Sequence, residues 1–563
     1  MLAYVCKYVP IEVFKALGED IEILNPDVVN FNLADTLMHP NLCSFVKGTL
    51  EEFSRKNYEG IILTSCCDSV KRLYDVLKKE YPDKFIYMLD LPRIINNSSY
   101  ELYKNRIIKL IEDYEKFSGK TFDKVKVRDI LLKNNNVKNI NNNSNKDKLK
   151  IGILGARSND SIVKIIEENN AEVVFNITCT GIDRNLQIDE NDILTSYSKS
   201  ILNQIPCMRM EEADKREDFV KNFGDDVDGI ICHTVQFCDN YSYEYIGLKQ
   251  KIKIPILLLE TDCTKQCVGQ IKTRIEAFLE SLAVTKGISI KNKEMKMRKN
   301  KDGNVYVLGI DSGSTSTNAV IMDQNKKIIA YDVIRTGAKS IESAQKILEN
   351  ILTKANLKKE DLSLIVSTGY GRVSITYADE SVTEISCHGK GAHYFNPKIR
   401  TILDIGGQDS KAISLNEKGD VKDFVMNDKC AAGTGRFLEM MAKTLDIPIS
   451  ELGPLSLNWS ENIQITSMCS VFAESEVISL IANNKEKCDI IHGIHNSIAS
   501  KSYSLLKRVG LEKEFMMTGG VAKNLGVVKA VEDKIGSKLY ICEEPEIVGA
   551  TGAALYALEK LIY

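Results

Sequence analysis

The sequence predicts an α/β protein with an N-terminal region of two parallel-sheet lobes and a C-terminal region with an internally duplicated fold. Three observations predict this. Short apolar runs alternate with helical patterns up to residue 288, a strand–turn–strand pattern occurs twice after residue 304, and polar stretches interrupt the chain at residues 133–149 and 289–303. A chain of 563 residues also exceeds one ordinary hydrophobic core.

Composition excludes several classes of protein. A net charge of -3 with 27% charged residues argues against a dedicated nucleic-acid or anionic-membrane surface. No apolar run is long enough to span a membrane, and the N-terminal residues lack the pattern of a secretion signal. We therefore expect a cytoplasmic protein that binds no nucleic acid and no membrane. In that compartment the fifteen cysteines are more readily thiols or metal ligands than disulfides.

The N-terminal region is predicted to contain two similar lobes, residues 1–132 and 150–288. In each, β-rich runs are followed by segments with helical spacing, as in SVKRLYDVLKKEY, and this alternation predicts a parallel sheet covered by helices. The Asn- and Lys-rich residues 133–149 between the lobes lack the large apolar side chains that a core needs, so they form a linker or surface loop. A second linker, residues 289–303, precedes the C-terminal region.

The C-terminal region, residues 304–563, begins with a β-meander rather than a β-α-β unit. From Tyr306 the pattern reads strand, hydroxyl-rich turn, strand, turn, strand, followed by the helical IESAQKILENIL. The same design starts again at residue 401 with RTILDIGGQDSKAISLNEKGDVKDFVMND. This duplication predicts two acidic turns that face one cleft.

Three turns of this region combine carboxylates, hydroxyls and glycines. Backbone N–H groups and hydroxyls suit phosphate oxygens, and a carboxylate can hold hydrated Mg²⁺. DSGST alone is more typical of an ordinary turn, but its repetition indicates a nucleotide site. The predicted nucleotide-binding residues are Asp311, Ser312, Gly313, Ser314, Thr315, Asp404, Gly406, Gly407, Gly519 and Gly520. Gln408 can orient a water molecule but cannot accept its proton, so Gln408 and Asp409 are the predicted catalytic residues, with Asp311 and Asp404 as further candidates for the base or the magnesium ligands.

This pattern resembles the actin, Hsp70 and sugar kinase superfamily of ATPases. Within it, nearly all of residues 304–563 resemble the ATPase activators of 2-hydroxyacyl-CoA dehydratases and of benzoyl-CoA reductases, through motifs that include VLGIDSGSTSTNAV, TILDIGGQDSKAI, NDKCAAGTGRFLEMMA, CSVFAESEVISL and MTGGVAKN. The resemblance implies ATP and Mg²⁺ as cofactors. It also implies a homodimer with one [4Fe-4S] cluster between its subunits, held by Cys430 and Cys469 of each.

The residues themselves are consistent with that cluster. Two thiolates make half of a Cys₄ site, which a two-fold axis completes. Cys430 is predicted to lie directly before a helix, whose dipole favours a thiolate. The alternative is that both cysteines are small buried apolar residues, which is the interpretation for Cys387, Cys488 and Cys542.

The N-terminal half resembles the iron–sulfur component of the 2-hydroxyacyl-CoA dehydratase superfamily, and within it the double-cubane cluster proteins. The motifs are NLCSFVK, CCDSVKRLYD, CHTVQFCDNYSYEY and LLLETDCTKQCVGQIKTRIEAFLESL. For a double-cubane [8Fe-9S] cluster the resemblance implies six ligands, namely Cys43, Cys67, Cys179, Cys207 and Cys232 with either Cys66 or Cys238. A single [4Fe-4S] cluster would use Cys43, Cys67 and Cys238. For Cys6, Cys263 and Cys267, burial is at least as good an explanation.

Together these features predict an ATP-dependent, low-potential iron–sulfur reductase. The C-terminal ATPase would take one electron from a ferredoxin or flavodoxin and pass it to the N-terminal cluster, which reduces a small molecule or an acyl-CoA. Two alternatives remain open. One is a 2-hydroxyacyl-CoA dehydratase system that needs a further subunit, and the other is a non-redox ATPase such as a sugar kinase.

Overall fold

A computed structural model describes residues 1–135, 148–157, 160–181, 186–265, 268–288, 304–337, 339–427, 431–466 and 469–562. The chain divides into an N-terminal unit, Met1–Lys291, and a C-terminal unit, Asn292–Tyr563. Residues 136–147 and 289–303, which contain most of the two predicted linkers, lie outside the described residues. None of the described helices is both long and apolar enough to cross a membrane.

The N-terminal unit alternates strands and helices. Its strands are β1 Leu2–Tyr4, β2 Ile21–Ile23, β3 Gly60–Thr64, β4 Phe85–Leu89, β5 Leu149–Gly155, β6 Ala171–Asn176, β7 Gly229–Val235 and β8 Ile256–Thr261. Its helices are α1 Ile11–Ala16, α2 Asn32–Leu37, α3 Ser44–Arg55, α4 Asp68–Glu80, α5 Asn97–Ser118, α6 Lys124–Asn135, α7 Asp160–Glu167, α8 Ile193–Leu202, α9 Lys215–Phe223, α10 Asp239–Lys251 and α11 Val268–Lys286.

The strands of this unit form two parallel sheets with the same topology. The described strands are ordered β2-β1-β3-β4 in the first lobe and β6-β5-β7-β8 in the second. Every residue of β3 and of β7 is buried, as expected for strands that helices cover on both faces. The prediction of two parallel-sheet lobes is confirmed, although the short β2 had no distinct sequence signal.

The lobes meet through residues that follow the carboxyl ends of their strands. Arg157, two residues after β5, donates from its guanidinium to the carbonyl oxygens of Val5 and Leu24, each at 3.1 Å. The Lys7 Nζ, beyond β1, donates to the Ile205 carbonyl oxygen at 2.6 Å. Ligands of open α/β sheets collect at such carboxyl edges, so the two lobes enclose the region where a site is expected.

The C-terminal unit has the two-sheet architecture that the duplication predicts. Its strands are β9 Tyr306–Ser312, β10 Ser316–Asp323, β11 Ile328–Arg335, β12 Leu362–Thr368, β13 Glu380–Ser381, β14 Thr401–Ile405, β15 Ser410–Leu415, β16 Val421–Asn427, β17 Phe515–Thr518 and β18 Leu539–Tyr540. Its helices are α12 Ser340–Ala355, α13 Glu384–Phe395, α14 Gly435–Thr444, α15 Ile449–Ser456, α16 Ser470–Ala482, α17 Lys487–Val509, α18 Leu525–Ile535 and α19 Val548–Ile562.

Both sheets follow one plan. The described strands are ordered β11-β10-β9-β12-β13 in the first sheet and β16-β15-β14-β17-β18 in the second. In each, an antiparallel meander is extended by two parallel strands. The predicted meanders and their duplication are confirmed. Helix α14 begins at Gly435, however, so the expectation of a helix that starts directly after Cys430 is wrong.

A buried histidine makes the stability of the C-terminal unit dependent on pH. His495 of α17 is 1% exposed, and its Nδ1 lies 2.9 Å from the Ser456 Oγ. Burial, followed by the neighbouring His492, lowers the pKa of His495 to about 3. The folded state therefore keeps this imidazole neutral at pH values where the unfolded chain protonates it.

We expect the free energy of unfolding of this unit to fall as the pH drops from about 6.5 toward 3, because only the unfolded state gains the proton. The contribution of His495 is about 1.4 kcal/mol per pH unit. Urea unfolding followed by the fluorescence of Trp459, the only tryptophan in the sequence, measures it. H495Q should flatten the slope, whereas H39Q, at an exposed position of the other unit, should not. Equal slopes for H495Q and the unaltered protein would contradict this account.

Candidate functional site

A cavity of about 470 Å³ lies between the two repeats of the C-terminal unit. The first strands of the two repeats, β9 and β14, carry Asp311 and Asp404 near their carboxyl ends. The predicted residues that line the cavity are Asp311, Gly313, Ser314, Thr315, Asp404, Gly406, Gly407, Asp409, Gly519 and Gly520. The structure thus brings the three predicted turns to one cavity, with Ser312 and Gln408 next to its lining.

The turns approach each other so closely that glycine is required. A Cβ on Gly407 would lie 1.7 Å from the Thr315 Oγ1, so the second acidic turn packs directly on the first. Gly519 has a φ of +83°, and a Cβ there would lie 2.5 Å from the Ile405 carbonyl oxygen. These positions leave room for a ligand to contact backbone rather than side chains.

A buried ammonium group organises the acidic side of the cavity. The Lys411 Nζ lies 2.8 Å from Glu384 Oε1, 2.8 Å from Asp409 Oδ2 and 3.2 Å from Asp404 Oδ2. Lys411 is only 1% exposed, and so it needs these carboxylates to compensate its charge.

The pKa values of the predicted carboxylates diverge in this setting. Burial opposes the ionisation of Asp404, but the neighbouring His388 and Lys411 outweigh it and lower the pKa to about 2. Burial raises the pKa of Asp409 to about 6, although Lys411 acts in the opposite direction. Burial and the nearby Glu384 raise the pKa of Asp311 well above its usual value. Groups whose pKa values are pushed apart in this way are typical of catalytic sites.

Two carboxylates and an imidazole at one edge of the cavity are grouped as they would be around a bound cation. Ligand atoms of Asp311, Glu384 and His388 all lie within 4.8 Å of one another. Asp311 Oδ1 is buried without a hydrogen-bond partner, which is unusual for a carboxylate unless another ligand occupies that position. Carboxylate oxygens are the ligands that Mg²⁺ prefers.

The sequence interpretation missed Lys411, Glu384 and His388. Lys411 belongs to TILDIGGQDSKAI, a motif that indicates the family resemblance but not the chemistry of this lysine. Glu384 and His388 are four residues apart on α13, so they share one face of that helix. That spacing was the signal available, whereas the position of Lys411 depends on contacts between distant elements.

The start of α14 is hydrogen-bonded to the second acidic turn. The Gly435 N–H donates to the Gly406 carbonyl oxygen at 2.8 Å, and the Arg436 N–H donates to the Gly407 carbonyl oxygen at 2.9 Å. With its amide oxygen turned toward the guanidinium, Gln408 accepts from Arg436 Nη2 at 2.8 Å. The helix that follows Cys430 in sequence is therefore tied to the turn, while Cys430 itself lies outside the described residues.

Cys469 lies at the surface of the same unit. It is the N-cap residue of α16 and is exposed. Val471, at 62%, and Phe472, at 68%, are exposed shortly after it, and Ile478, at 54%, is exposed further along α16. A thiol next to an apolar helix surface is a feature of a protein interface. By contrast, Cys387 and Cys542 are buried, as the structural interpretation of these cysteines expects.

In the N-terminal unit, thiols converge where the two lobes meet. Cys6, Cys66 and Cys179 follow β1, β3 and β6, while Cys43, Cys67 and Cys238 are the N-cap residues of α3, α4 and α10. Cys207 precedes α9. All seven belong to or pack against one hydrophobic cluster. The thiols of Cys66 and Cys67 are hydrogen-bonded to each other, as are those of Cys179 and Cys207.

Several of these sulfur atoms accept further hydrogen bonds. Backbone N–H groups of Phe45 and Val46 donate to Cys43, that of Val70 to Cys67 and that of Arg209 to Cys207. The Tyr241 hydroxyl lies 3.0 Å from the Cys179 Sγ and 3.4 Å from the Cys207 Sγ. The bond with Cys179 lowers the pKa of Cys207 to about 5, and that with Cys66 lowers the pKa of Cys67. The same bonds raise the pKa of Cys179 and of Cys66, so each pair has one member that more readily becomes a thiolate, the form that binds metals.

The remaining cysteines of this unit were predicted either to bind a cluster or to be buried apolar residues. Cys232 lies inside β7 and packs in the core of the second lobe with Leu154 and Ile230, so the structure does not bring it to the thiol cluster. Cys6, for which burial was as good an explanation, is buried but also interacts with Cys66 and Cys207. Cys263 packs against the same hydrophobic cluster, and Cys267 lies outside the described residues.

Comparison with known families identifies both halves. The model of the BadF/BadG/BcrA/BcrD ATPase family matches residues 308–557. The model of the 2-hydroxyglutaryl-CoA dehydratase D-component matches residues 6–146 and 130–282. The predicted resemblances to the dehydratase activators and to a dehydratase component are confirmed.

Individual relatives match the C-terminal half. The activator of lactoyl-CoA dehydratase of Anaerotignum propionicum is 49% identical over 255 residues, which is 45% of this chain and 98% of the relative. The (R)-2-hydroxyglutaryl-CoA dehydratase activating ATPase of Acidaminococcus fermentans is 45% identical over 257 residues, which is 46% of this chain and 98% of the relative. The crystal structure of component A of the Acidaminococcus fermentans dehydratase is 43% identical, with a TM-score of 0.45, and covers 46% of this chain and 100% of that chain.

We expect K411M to destabilise the C-terminal unit strongly, because it leaves buried carboxylates without their counter-charge. Breaking a buried ion pair by removing one partner costs about 3–5 kcal/mol. The matched control is K422M on β16, whose pair with Glu512 is exposed and contributes roughly 0–1 kcal/mol. Urea unfolding measures both, and the deficit of K411M should shrink at acid pH as the carboxylates take up protons. Equal losses in the two variants would exclude the proposed role of Lys411.

Proposed function

This chain belongs to the BadF/BadG/BcrA/BcrD ATPase family, and we propose that it couples ATP hydrolysis to low-potential electron transfer between two iron–sulfur clusters. The C-terminal unit would hold ATP and the donor cluster, and the N-terminal unit would hold the acceptor cluster. The observation that carries the proposal is the convergence of hydrogen-bonded thiols in a region that matches a dehydratase component, on the same chain as an activator-type ATP cavity.

ATP would bind in the cavity between the two repeats. Its phosphates would contact the backbone and hydroxyls of residues 312–315 and 406–408, and its adenosine would lie near Gly519 and Gly520. Asp311 with Glu384 and His388 would hold Mg²⁺, which neutralises phosphate charge when bound. Asp409, with its raised pKa, is the candidate base, and Gln408 would orient the attacking water.

The contact between Gln408 and Arg436 offers a route from the ATP site to the donor cluster. A change in the Gly406–Gly407 turn on hydrolysis would act on the first residues of α14 through their hydrogen bonds. Cys430 lies in the segment that leads into this helix, so its position would depend on the bound nucleotide. Coupling through a hydrogen-bonded element with two arrangements is an established mode of switching.

The donor cluster would bridge a homodimer. Cys430 and Cys469 of each subunit would supply the four thiolates of one [4Fe-4S] cluster, which supplies a one-electron donor when bound. The exposed thiol of Cys469 and the exposed apolar residues Val471 and Phe472 fit a surface that a second copy covers.

The acceptor site would use the convergent thiols of the N-terminal unit. Cys43, Cys67, Cys179 and Cys207 were expected ligands, and Cys66 and Cys238 lie at the same cluster of side chains. Six such thiols are enough for a double-cubane [8Fe-9S] cluster, and Cys43, Cys67 and Cys238 suffice for a [4Fe-4S] cluster. We leave Cys232 out of both sets because it packs within the core of the second lobe.

We propose the electron donor and the substrate as chemical classes. A ferredoxin or flavodoxin would reduce the bridging cluster, and a small molecule or an acyl-CoA would receive electrons from the N-terminal cluster. A second candidate follows from the relatives, which are activators of 2-hydroxyacyl-CoA dehydratases. The chain would then serve a dehydratase, with a further subunit that completes the acyl-CoA site.

We expect anaerobically purified C469S and C430S to lose the bridging cluster, which corresponds to about two iron atoms per chain for a [4Fe-4S] cluster shared by a dimer. Iron and sulfide analysis measures this loss, and light scattering reports the dimer. C488S, at a partly buried cysteine of the same unit, is the matched control and should keep its iron. Unchanged iron content in C469S and C430S would rule out the bridging site.

The electron-transfer step has its own test. With a chemical reductant, we expect the N-terminal cluster to be reduced only when Mg²⁺ and ATP are present, because hydrolysis supplies the driving force. Electron paramagnetic resonance distinguishes the two reduced clusters. A colourless, iron-free protein whose ATP turnover depends on a sugar would refute the proposal in favour of a sugar kinase.

A further inference from the structure

Arg157 is a buried cation without a carboxylate partner in the described part of the chain. It is 8% exposed and reaches from the second lobe into the first. Its guanidinium donates to three neutral oxygens, the carbonyls of Val5 and Leu24 and Asn25 Oδ1, the last at 3.3 Å. Its carbon Cζ lies 3.7 Å from the centre of the Phe45 ring, and its Nε has no hydrogen-bond partner. A buried charge of this kind is costly unless an anion compensates it.

The groups that can supply negative charge near Arg157 are thiols. Cys179 contributes most, followed by Cys263, Cys6 and Cys66. Lys7, in the first lobe, is a second buried cation near these thiols. It is 3% exposed, its Nζ donates to the Ile205 carbonyl oxygen at 2.6 Å, and the thiols that favour its charge are Cys207, Cys179 and Cys6.

Arg216 provides a contrast within the same unit. It is 1% exposed, but Glu244 neutralises it through hydrogen bonds to both carboxylate oxygens. The chain thus pairs one buried arginine with a carboxylate and places another, with a buried lysine, against thiols. The difference indicates that the counter-charge of Arg157 belongs to what the thiols bind, and Lys7 lies close enough to the same thiols to act on it as well.

We propose that Arg157 and Lys7 are positioning residues that balance the negative charge of an iron–sulfur cluster held by the convergent thiols and raise its reduction potential. The inference rests on the proposed function, since it requires that cluster. Thiolates and sulfides together carry more negative charge than the iron atoms compensate, and reduction adds one further negative charge while no bond is formed or broken. Two fixed cations stabilise the reduced state more than the oxidised state, because their attraction grows with the charge of the cluster.

The test compares R157Q, which removes the charge, with R157K, which keeps it. In the anaerobic full-length protein, we expect R157Q to shift the redox equilibrium of the N-terminal cluster at least tenfold toward the oxidised state, about 59 mV for a one-electron couple. R157K should remain close to the unaltered protein. A potentiometric titration followed by electron paramagnetic resonance measures the potential, with K164Q, an exposed charge loss in the same unit, as the control.

The outcomes separate the inference from the proposed function. If R157Q loses the cluster while R157K retains it, charge balance is supported, and K7M should then show the lowered potential. If R157Q and K7M keep both iron content and potential, or if R157K fails as badly as R157Q, the charge-balancing role is overturned. A protein without iron in its N-terminal unit would instead overturn the proposed function itself.

Discussion

The Lys411 ammonium lies among carboxylates from three parts of the C-terminal unit, and the geometry of the cavity depends on it. Glu384 comes from α13, Asp404 from β14 and Asp409 from the turn before β15. Without a central cation these acids would repel one another and could not share a small buried space. With it, Asp404 stays ionised, whereas burial raises the pKa of Asp409 even though Lys411 acts in the opposite direction. The same ion cluster therefore positions the turns and separates the chemical properties of their acids.

Internal repetition explains why each unit has its candidate site between two halves. In both units the paired sheets have identical strand orders, so equivalent strand ends occur twice. In the C-terminal unit this places two acidic turns across one cavity. In the N-terminal unit it places cysteines from both lobes against one another. A site built this way needs only short loops, because the sheets provide its geometry.

Hydrophobic periodicity and turn residues were sufficient to predict the sheets, the meanders and the turns that line the cavity, since these are local patterns. The short β2 and the start of α14 at Gly435 escaped prediction because few residues specify them. The role of Lys411 and the separation of Cys232 from the other thiols depend on contacts between distant segments. A motif identifies a cysteine, but its place inside a strand or at a strand end decides what its sulfur can reach.

The hydrogen-bonded thiol pairs also make this protein sensitive to oxidation. Cys66 is hydrogen-bonded to Cys67 and Cys179 to Cys207, and one member of each pair has a lowered pKa. A thiolate beside a thiol is the arrangement from which a disulfide forms once an oxidant removes two electrons. Oxidation of either pair would thus block the proposed cluster site. Under the proposed function, iron and sulfide would therefore have to bind to the newly folded unit before an oxidant reaches these thiols.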